Sequence, residues 1–448
     1  MPHQDDVYLR QNVAAIKDLL GQIVPEKVNA FSRHGNSKRD ASWLASVAIV
    51  CLGLTDRGTL SDRVESACAV VGLLRGDKAT ITRQGLFQAL ATCGQALIEL
   101  IIDHIAETLP SLKGHWTRGG KVNIAVDGSK VAAPRSEANQ KFFSAIASPP
   151  KPATGRRKKR RQSKRKRRSG RTRKTARSKD YDSAADESKA STVQVLMVVF
   201  WHVTTGLPLR WRLHGHGGSE RVSVQEQIHQ LPSNARLIAD AEYVGYPLWS
   251  TIIDAKRSFL VRVGSNVKLL KGLGKYRIDG SHVWLWPDQV RKEGEPPLHL
   301  RLITLNNGRH RIYLVTNELD MPAKLAGELY AERWGVEVFF RTVKQTYERS
   351  KLRCETPQNA LTELNWTLLG VWVALFHCKQ TLAAMGESIE SLSPVKVIRA
   401  FDEIILILDL STRRTPLLNE LLSVAVKADE SHRTSSKASH DYPRKKQH

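Results

Sequence analysis

Cysteine is scarce in this chain and poorly placed for structural chemistry. Cys51, Cys68, Cys93, Cys354 and Cys378 are odd in number and include no C-x2-C pair, so neither a disulfide framework nor a zinc ribbon is indicated. Reduced, partly buried thiols are the expectation. No stretch approaches the ~20 consecutive apolar residues that a membrane helix needs. The opening Met1-Pro-His-Gln-Asp-Asp lacks the basic-then-apolar order of a secretion signal, so a soluble, cytoplasmic protein is expected. Acids are also in short supply: 44 Asp and Glu face 69 Lys and Arg, for a net charge of +25 and a pI near 10.0. Such a field repels itself unless something polyanionic neutralises it. Nucleic acid is the first candidate partner and an anionic membrane surface the second. What the chain has in plenty is length, 448 residues, enough for two or three domains with a substantial core.

The densest pattern lies between Tyr330 and Lys344. Tyr330, Arg333, Glu337 and Lys344 stand at offsets of three, seven and fourteen, which at roughly 100° per residue confines them to an arc of about 60° on one helix face. Leu329, Val336, Phe339, Phe340 and Val343 fall on the adjoining side and suit docking on a core, with Glu332 an exception within that stripe. Geometry alone leaves two readings open, a functional seam or an amphipathic helix with a solvated face. The spacing Y-x2-R-x3-E-x6-K resembles the YREK signature of the DDE transposases of bacterial insertion sequence family four. The flanks Leu314-Val-Thr-Asn317, Ser350-Lys-Leu-Arg353 and Glu363-Leu364 resemble that family too, and the likeness covers about residues 120–375. It implies that Glu337 is the third catalytic carboxylate and that two aspartates lie upstream.

Residues 1 to about 115 carry apolar positions at helical spacing over 13–24, 42–54, 64–74 and 86–109, with Pro110 closing the last. The resemblance implies that this basic region contacts transposon-end DNA; a helical bundle with an ordinary solvated face is the other reading, since no recognition helix stands out. At 121–129 the period changes to a short apolar strand ending in Asp127 and a turn at Gly128. A strand end is a rigid place for a metal ligand, although Asp-Gly is also an ordinary turn. The continuation Lys130-Val-Ala-Ala-Pro134-Arg135 resembles the family's first-aspartate motif and makes Lys130 and Arg135 candidate DNA contacts. From 156 to 179 there are sixteen Lys or Arg and no acid; without them the charge of +25 would be +9. Such a tract is expected to be disordered.

Beyond it, 193–201 and 207–213 read as a β-hairpin, 219–230 as a helix, 236–240 as a strand ending in Asp240, and 247–255 as a helix. Strand, hairpin, helix, strand, with acids closing the first and fourth strands, is the order of an RNase H-like core. Residues 259–315 are strand-rich and include Trp284 and Trp286, which share one strand face and either cover a small sheet or stack on an exposed base. Helices are expected at 361–385, 395–410 and 417–426.

The expected fold is therefore α/β, an RNase H-like catalytic core with a β-rich insertion, flanked by N- and C-terminal helical regions. The expected divisions are a helical DNA-binding region at 1–118, core at 119–148, a basic insertion at 149–191, core at 192–258, the β-rich insertion at 259–318, core with the signature helix at 319–375, a C-terminal helical region at 376–430 and a tail at 431–448. By resemblance, Asp127, Asp240 and Glu337 hold two Mg²⁺, with Mn²⁺ able to substitute, because hard divalent cations prefer carboxylate oxygens. Arg333 and Lys344 hold a backbone phosphate, one as a fork and the other as a point charge, and Tyr330 contacts the same DNA or orients a neighbour. The implied reaction is cleavage of double-stranded DNA at transposon ends to a free 3′-hydroxyl, a hairpin end, and strand transfer within a dimeric synapse of a nucleoid-associated protein. A catalytically inactive DNA-binding descendant is the alternative.

Overall fold

The computed structural model describes residues 4–31, 39–55, 58–112, 114–143, 193–215, 217–263, 275–287, 296–307 and 310–410. The basic tract at 156–179, the helix expected at 417–426 and the tail at 431–448 lie outside these residues. The described chain is a mixed α/β fold on one large sheet. Its strands are β1 (Val122–Ala132), β2 (Gln194–His202), β3 (Leu207–His214), β4 (Ala235–Ala239), β5 (Ser258–Arg262), β6 (Tyr276–Asp279), β7 (His282–Leu285), β8 (Leu298–Asn307) and β9 (His310–Thr316). They lie in the order β3-β2-β1-β4-β5-β9-β8-β7-β6. Ile124, Val126, Val195, Val198, Val199, Ile238 and Val261 are all buried in the first five; strands covered on both faces favour such side chains.

The hairpin expected from 193 to 213 is present as β2 and β3. β5, at the start of the stretch read as strand-rich, runs parallel to β4 and antiparallel to β9 and buries Leu260 and Val261 between them. Asp127 is not at a strand end. β1 continues past it because β2 pairs with it as far as Ala132↔Gln194, whereas β4 pairs with it only as far as Ala125↔Ile238. Asp127 therefore sits where β1 loses its β4 neighbour, and Asp240 directly follows β4 beside the same gap.

The helices are α1 (Gln4–Ile23), α2 (Ala41–Ile49) running into a π-turn at Val50–Leu54, α3 (Leu60–Arg75), α4 (Arg83–Thr108), α5 (Glu137–Phe143), α6 (Glu220–Gln227), α7 (Tyr246–Asp254), α8 (Ala323–Glu332), α9 (Gly335–Arg341), α10 (Pro357–Ala384) and α11 (Pro394–Leu410). Asp40 and Thr82 cap α2 and α4, and Thr59 with Asp62 forms a capping box on α3. The N-terminal helices share the core of the rest. Gly53 meets Gly370 of α10 so closely that a Cβ on either would lie 2.2 Å from the other's Cα, and Tyr347 donates its hydroxyl to the Gly53 carbonyl at 2.7 Å. The helix Arg83–Ser111 is, by length and composition, apolar enough to cross a membrane. It is broken at Gly94, and its Leu97, Ile98, Ile101 and Ile105 are buried in the protein core.

The single helix expected through Lys344 is in three pieces, α8, α9 and a π-turn at Thr342–Thr346, with Arg333 and Trp334 between the first two. Gly335 lets α9 dock on β2, since a Cβ there would come within 2.8 Å of Trp201 Nε1. Leu329, Val336, Phe339, Phe340 and Val343 are buried, and Glu332, the exception in that stripe, pairs outward with Arg118.

Candidate active site

Three acids approach the gap beside β1 from three elements. Asp127, on β1, accepts the N–H of Gly128 at 2.9 Å. Asp240, after β4, accepts the N–H of Glu242 at 2.9 Å and so caps the short turn Ala241–Tyr243. Glu337 lies in the first turn of α9. Arg333 stands between two of them, with Nη1 3.7 Å from Asp127 and Nη2 3.1 Å from Glu337. Its guanidinium carbon lies 5.5 Å from the centre of the Tyr330 ring, and Arg262 of β5 hydrogen-bonds the Tyr330 hydroxyl. Lys344 donates to Ser129 Oγ at 2.6 Å, two residues along β1 from Asp127 and on the same face. Tyr330, Arg333 and Lys344 thus reach the strands, and Glu337 joins them through Arg333, although the helix carrying them is broken.

The site is electrostatically frustrated. Burial raises the Asp127 carboxyl from its ordinary 3.8 to about 7; Arg333 and the Gly128 N–H oppose the rise, and Asp240 and Glu220 add to it. Glu337 is raised chiefly by burial, with Asp240 adding and Arg333 opposing. Burial acts to lower Arg333, but Tyr330, Asp127, Glu337 and Asp240 outweigh it and hold the guanidinium more firmly protonated. Burial also raises Tyr330 and lowers Lys344. Burial and the neighbouring Asp240 thus disfavour ionisation of Asp127 and Glu337, and a divalent cation beside them would reverse that.

The donor chemistry suits a hard divalent ion, since Asp127, Asp240 and Glu337 offer only carboxylate oxygens. Their spacing here is that of an arginine-bridged set. Among the described residues no three His, Cys, Asp or Glu side chains stand close enough together to hold one metal, and the Arg333 guanidinium pairs with two of the three acids.

The other sequence candidates are elsewhere. Lys130 is exposed on β1, and Arg135 is exposed on the loop that follows. Trp284 and Trp286 belong to β7 and its end, four strands from β4 in the sheet, a lateral separation on the order of 20 Å. Trp284 is flanked by His299, stacked at 4.9 Å, and by Arg277, 4.2 Å over its ring; Lys275 lies 5.6 Å over Trp286. Sequence reading missed Ser129 and Arg262, the partners of Lys344 and Tyr330, as well as Glu220 and Tyr243. Only Ser129 carried a signal, its place two residues beyond Asp127 on a strand.

Comparison with known proteins bears on the same stretch. Residues 118–372 match the family model described as the transposase DDE domain. The Sinorhizobium fredii protein y4zB, described as a transposase, is 32% identical over 126 residues, 26% of this chain and 35% of its own. The Escherichia coli transposase InsG of insertion sequence element IS4 is 26% identical over 213 residues, 45% of this chain and 47% of its own. The matched stretches thus span a third to a half of those curated relatives. The piggyBac transposase, solved as a synaptic complex with hairpin DNA, aligns with a TM-score of 0.42 and 12% identity, covering 95% of this chain and 87% of that one. The matched family model takes in β1, the end of β4 and α9, the three elements that carry the acids, and spans more than half of the chain, which belongs to the transposase DDE domain family.

Proposed function

We propose that the chain is a transposase that cuts double-stranded DNA at the ends of its element and joins them to a target, with Asp127, Asp240 and Glu337 as the ligands of Mg²⁺ or Mn²⁺. The observation that carries this reading is the meeting of acids from β1, the end of β4 and α9 around the buried Arg333, in a chain of this family. DDE transposases use divalent metal ions; bound among these acids, such an ion supplies Lewis acidity at phosphate and lowers the pKa of a water. The strand order β3-β2-β1-β4-β5, with β1 antiparallel to β2 and parallel to β4, supports reading these five strands as an RNase H-like core and β6–β9 as its insertion.

Arg333 exchanges its carboxylate partners for a backbone phosphate when DNA enters, since phosphate offers the same fork geometry with more charge. Lys344 approaches the phosphate as a point charge from its place on Ser129, and Tyr330 keeps the Arg333 plane oriented. The basic residues of 1–118 and the tract at 156–179 attract the duplex, and a homodimer brings two ends together.

The test is incubation of the full chain with duplex carrying the flanks of its own element, in Mg²⁺, Mn²⁺ or EDTA. Metal-dependent cuts at the element ends, absent in Asp240→Asn, are expected. End binding without any cut would point instead to a catalytically idle DNA-binding descendant.

A further inference from the structure

Glu220 opens α6 and reaches the acids from the sheet face opposite α9. Successive side chains on a strand point to opposite faces. Asp127 and Ser129 turn toward Arg333 and Lys344, so Gly128 turns the other way. A Cβ on Gly128 would lie 2.1 Å from Glu220 Oε1 and 2.3 Å from its Cδ. The Glu220 carboxyl therefore lies flat against the β1 backbone immediately after Asp127, where any side chain on Gly128 would displace it. Its other neighbour is the buried Tyr243, from the turn that Asp240 caps, whose hydroxyl and the Glu220 carboxyl influence each other electrostatically. Glu220 thus lies against the strand that carries Asp127 and beside the turn that follows Asp240.

Burial, Glu242 and Asp240 disfavour its charged form, and the Tyr243 hydroxyl, with Lys130 more weakly, opposes them without reversing the rise. Among the described residues Glu220 makes no salt bridge, and the exposed Lys130 influences it less than Glu242 and Asp240 do. A half-buried carboxylate beside other acids costs stability in the protein alone. The same arrangement becomes favourable once a divalent cation enters.

We propose that Glu220 is a positioning residue of the acidic site, pinning the Asp127–Gly128 peptide against the Asp240–Tyr243 turn and adding a fourth negative charge to the field that draws a divalent cation there. The inference rests on the reading of Asp127 and Asp240 as metal ligands.

The experiment is Mn²⁺ binding to the full chain without DNA, followed by the electron paramagnetic resonance signal of free Mn²⁺. It is paired with melting in EDTA, for the wild type, Glu220→Gln, Glu220→Asp and Asp127→Asn. Glu220→Gln is isosteric, and it should weaken Mn²⁺ binding by about tenfold or more while leaving Tm in EDTA unchanged or higher, because repulsion among the acids falls. Glu220→Asp keeps the charge and should recover most of the affinity. A merely structural glutamate would show the reverse, a lower Tm with unchanged affinity, and that result overturns the proposal. So does unchanged affinity in Glu220→Gln beside its loss in Asp127→Asn, an outcome that leaves the metal reading standing. Mn²⁺ binding that survives Asp127→Asn overturns the metal reading and this inference with it.

Discussion

In β1, β2 and β4 most residues are buried, and Asp127 and Ser129, polar and only partly covered, are the ones that Arg333 and Lys344 reach. In β6 and β7 the alternation is open: Val283 and Leu285 face the core, while Arg277, Trp284 and His282 stand on the other side with His299 of β8. Polar side chains in the first region are held by charges arriving from other helices, at a desolvation cost that only an opposing charge or a ligand offsets. Those in the second region lean on cross-strand neighbours and remain partly solvated, which is how an outer sheet face is ordinarily packed. Chemistry is therefore expected at one end of the sheet and packing at the other.

The widest separation between the two regions should appear in activity. Asp127→Asn, Asp240→Asn and Glu337→Gln should each lower the cleavage rate on the order of 10³-fold or more, about 4 kcal/mol of barrier, with the fold kept by circular dichroism. Near-normal cleavage in any one of the three would remove that acid from the site.

Gly335→Ala should come next. Its new Cβ would meet Trp201 Nε1 at 2.8 Å, so α9 must lift from β2 and carry Glu337 with it. Overpacking of this kind costs about 1–3 kcal/mol, readable in chemical denaturation, and cleavage should fall about tenfold. Trp201→Phe in the same chain removes the clashing nitrogen and should restore part of both. If it restores stability but not cleavage, the position of α9 does not govern Glu337.

A smaller effect lies in pH. The folded Asp127 carboxyl, near 7 against an ordinary 3.8, binds its proton more tightly than the unfolded chain does. Its contribution favours folding at low pH and is lost as pH rises from about 4 through 7. Glu337 and Glu220 shift in the same direction, so the difference between wild type and Asp127→Asn isolates one group. In EDTA, the variant should gain in Tm over the wild type at pH 8 and show little gain at pH 4. A constant difference between the two pH values would mean that Asp127 does not titrate in this window.

Much of this site was legible because its pattern is local. Tyr330, Arg333, Glu337 and Lys344 fall within one short stretch whose spacing resembles a family signature, while Asp127 and Asp240 followed from the resemblance and from strand-like runs before them. The places where sequence reading erred are set by distant partners. β1 runs past Asp127 because β2 is there to pair with it, which no count within β1 reveals. The helix breaks between Glu332 and Gly335, and α9 then docks beside Trp201 from the β2 hairpin. Ser129 and Arg262 matter only through the side chains that reach them. At the other end of the sheet, the shared face of Trp284 and Trp286 was legible from their i, i+2 spacing. Their neighbours were not, because register with β6 and β8 brings Arg277 and His299 to Trp284.

The smallest effect should come from Trp284 itself. Its ring is stacked on His299 with an interplanar angle of 7° and is covered by Arg277. Truncation to Ala removes one stacked pair and one cation–π contact on a partly solvated face, worth roughly 0.5–1.5 and 0.5–1 kcal/mol. The β6–β7 hairpin should loosen, visible as faster amide exchange in 276–285, while the global Tm changes little and cleavage stays within about threefold of wild type. Stacking on an exposed base would require the ring to give up Arg277 or His299, because those neighbours lie over it in this structure. If that exchange does occur during the reaction, Trp284→Ala should leave the first nick intact and selectively slow the step that forms the hairpin end. Equal and slight effects on both steps would assign the ring to packing, and a selective loss of the second step would give this end of the sheet a part in the chemistry.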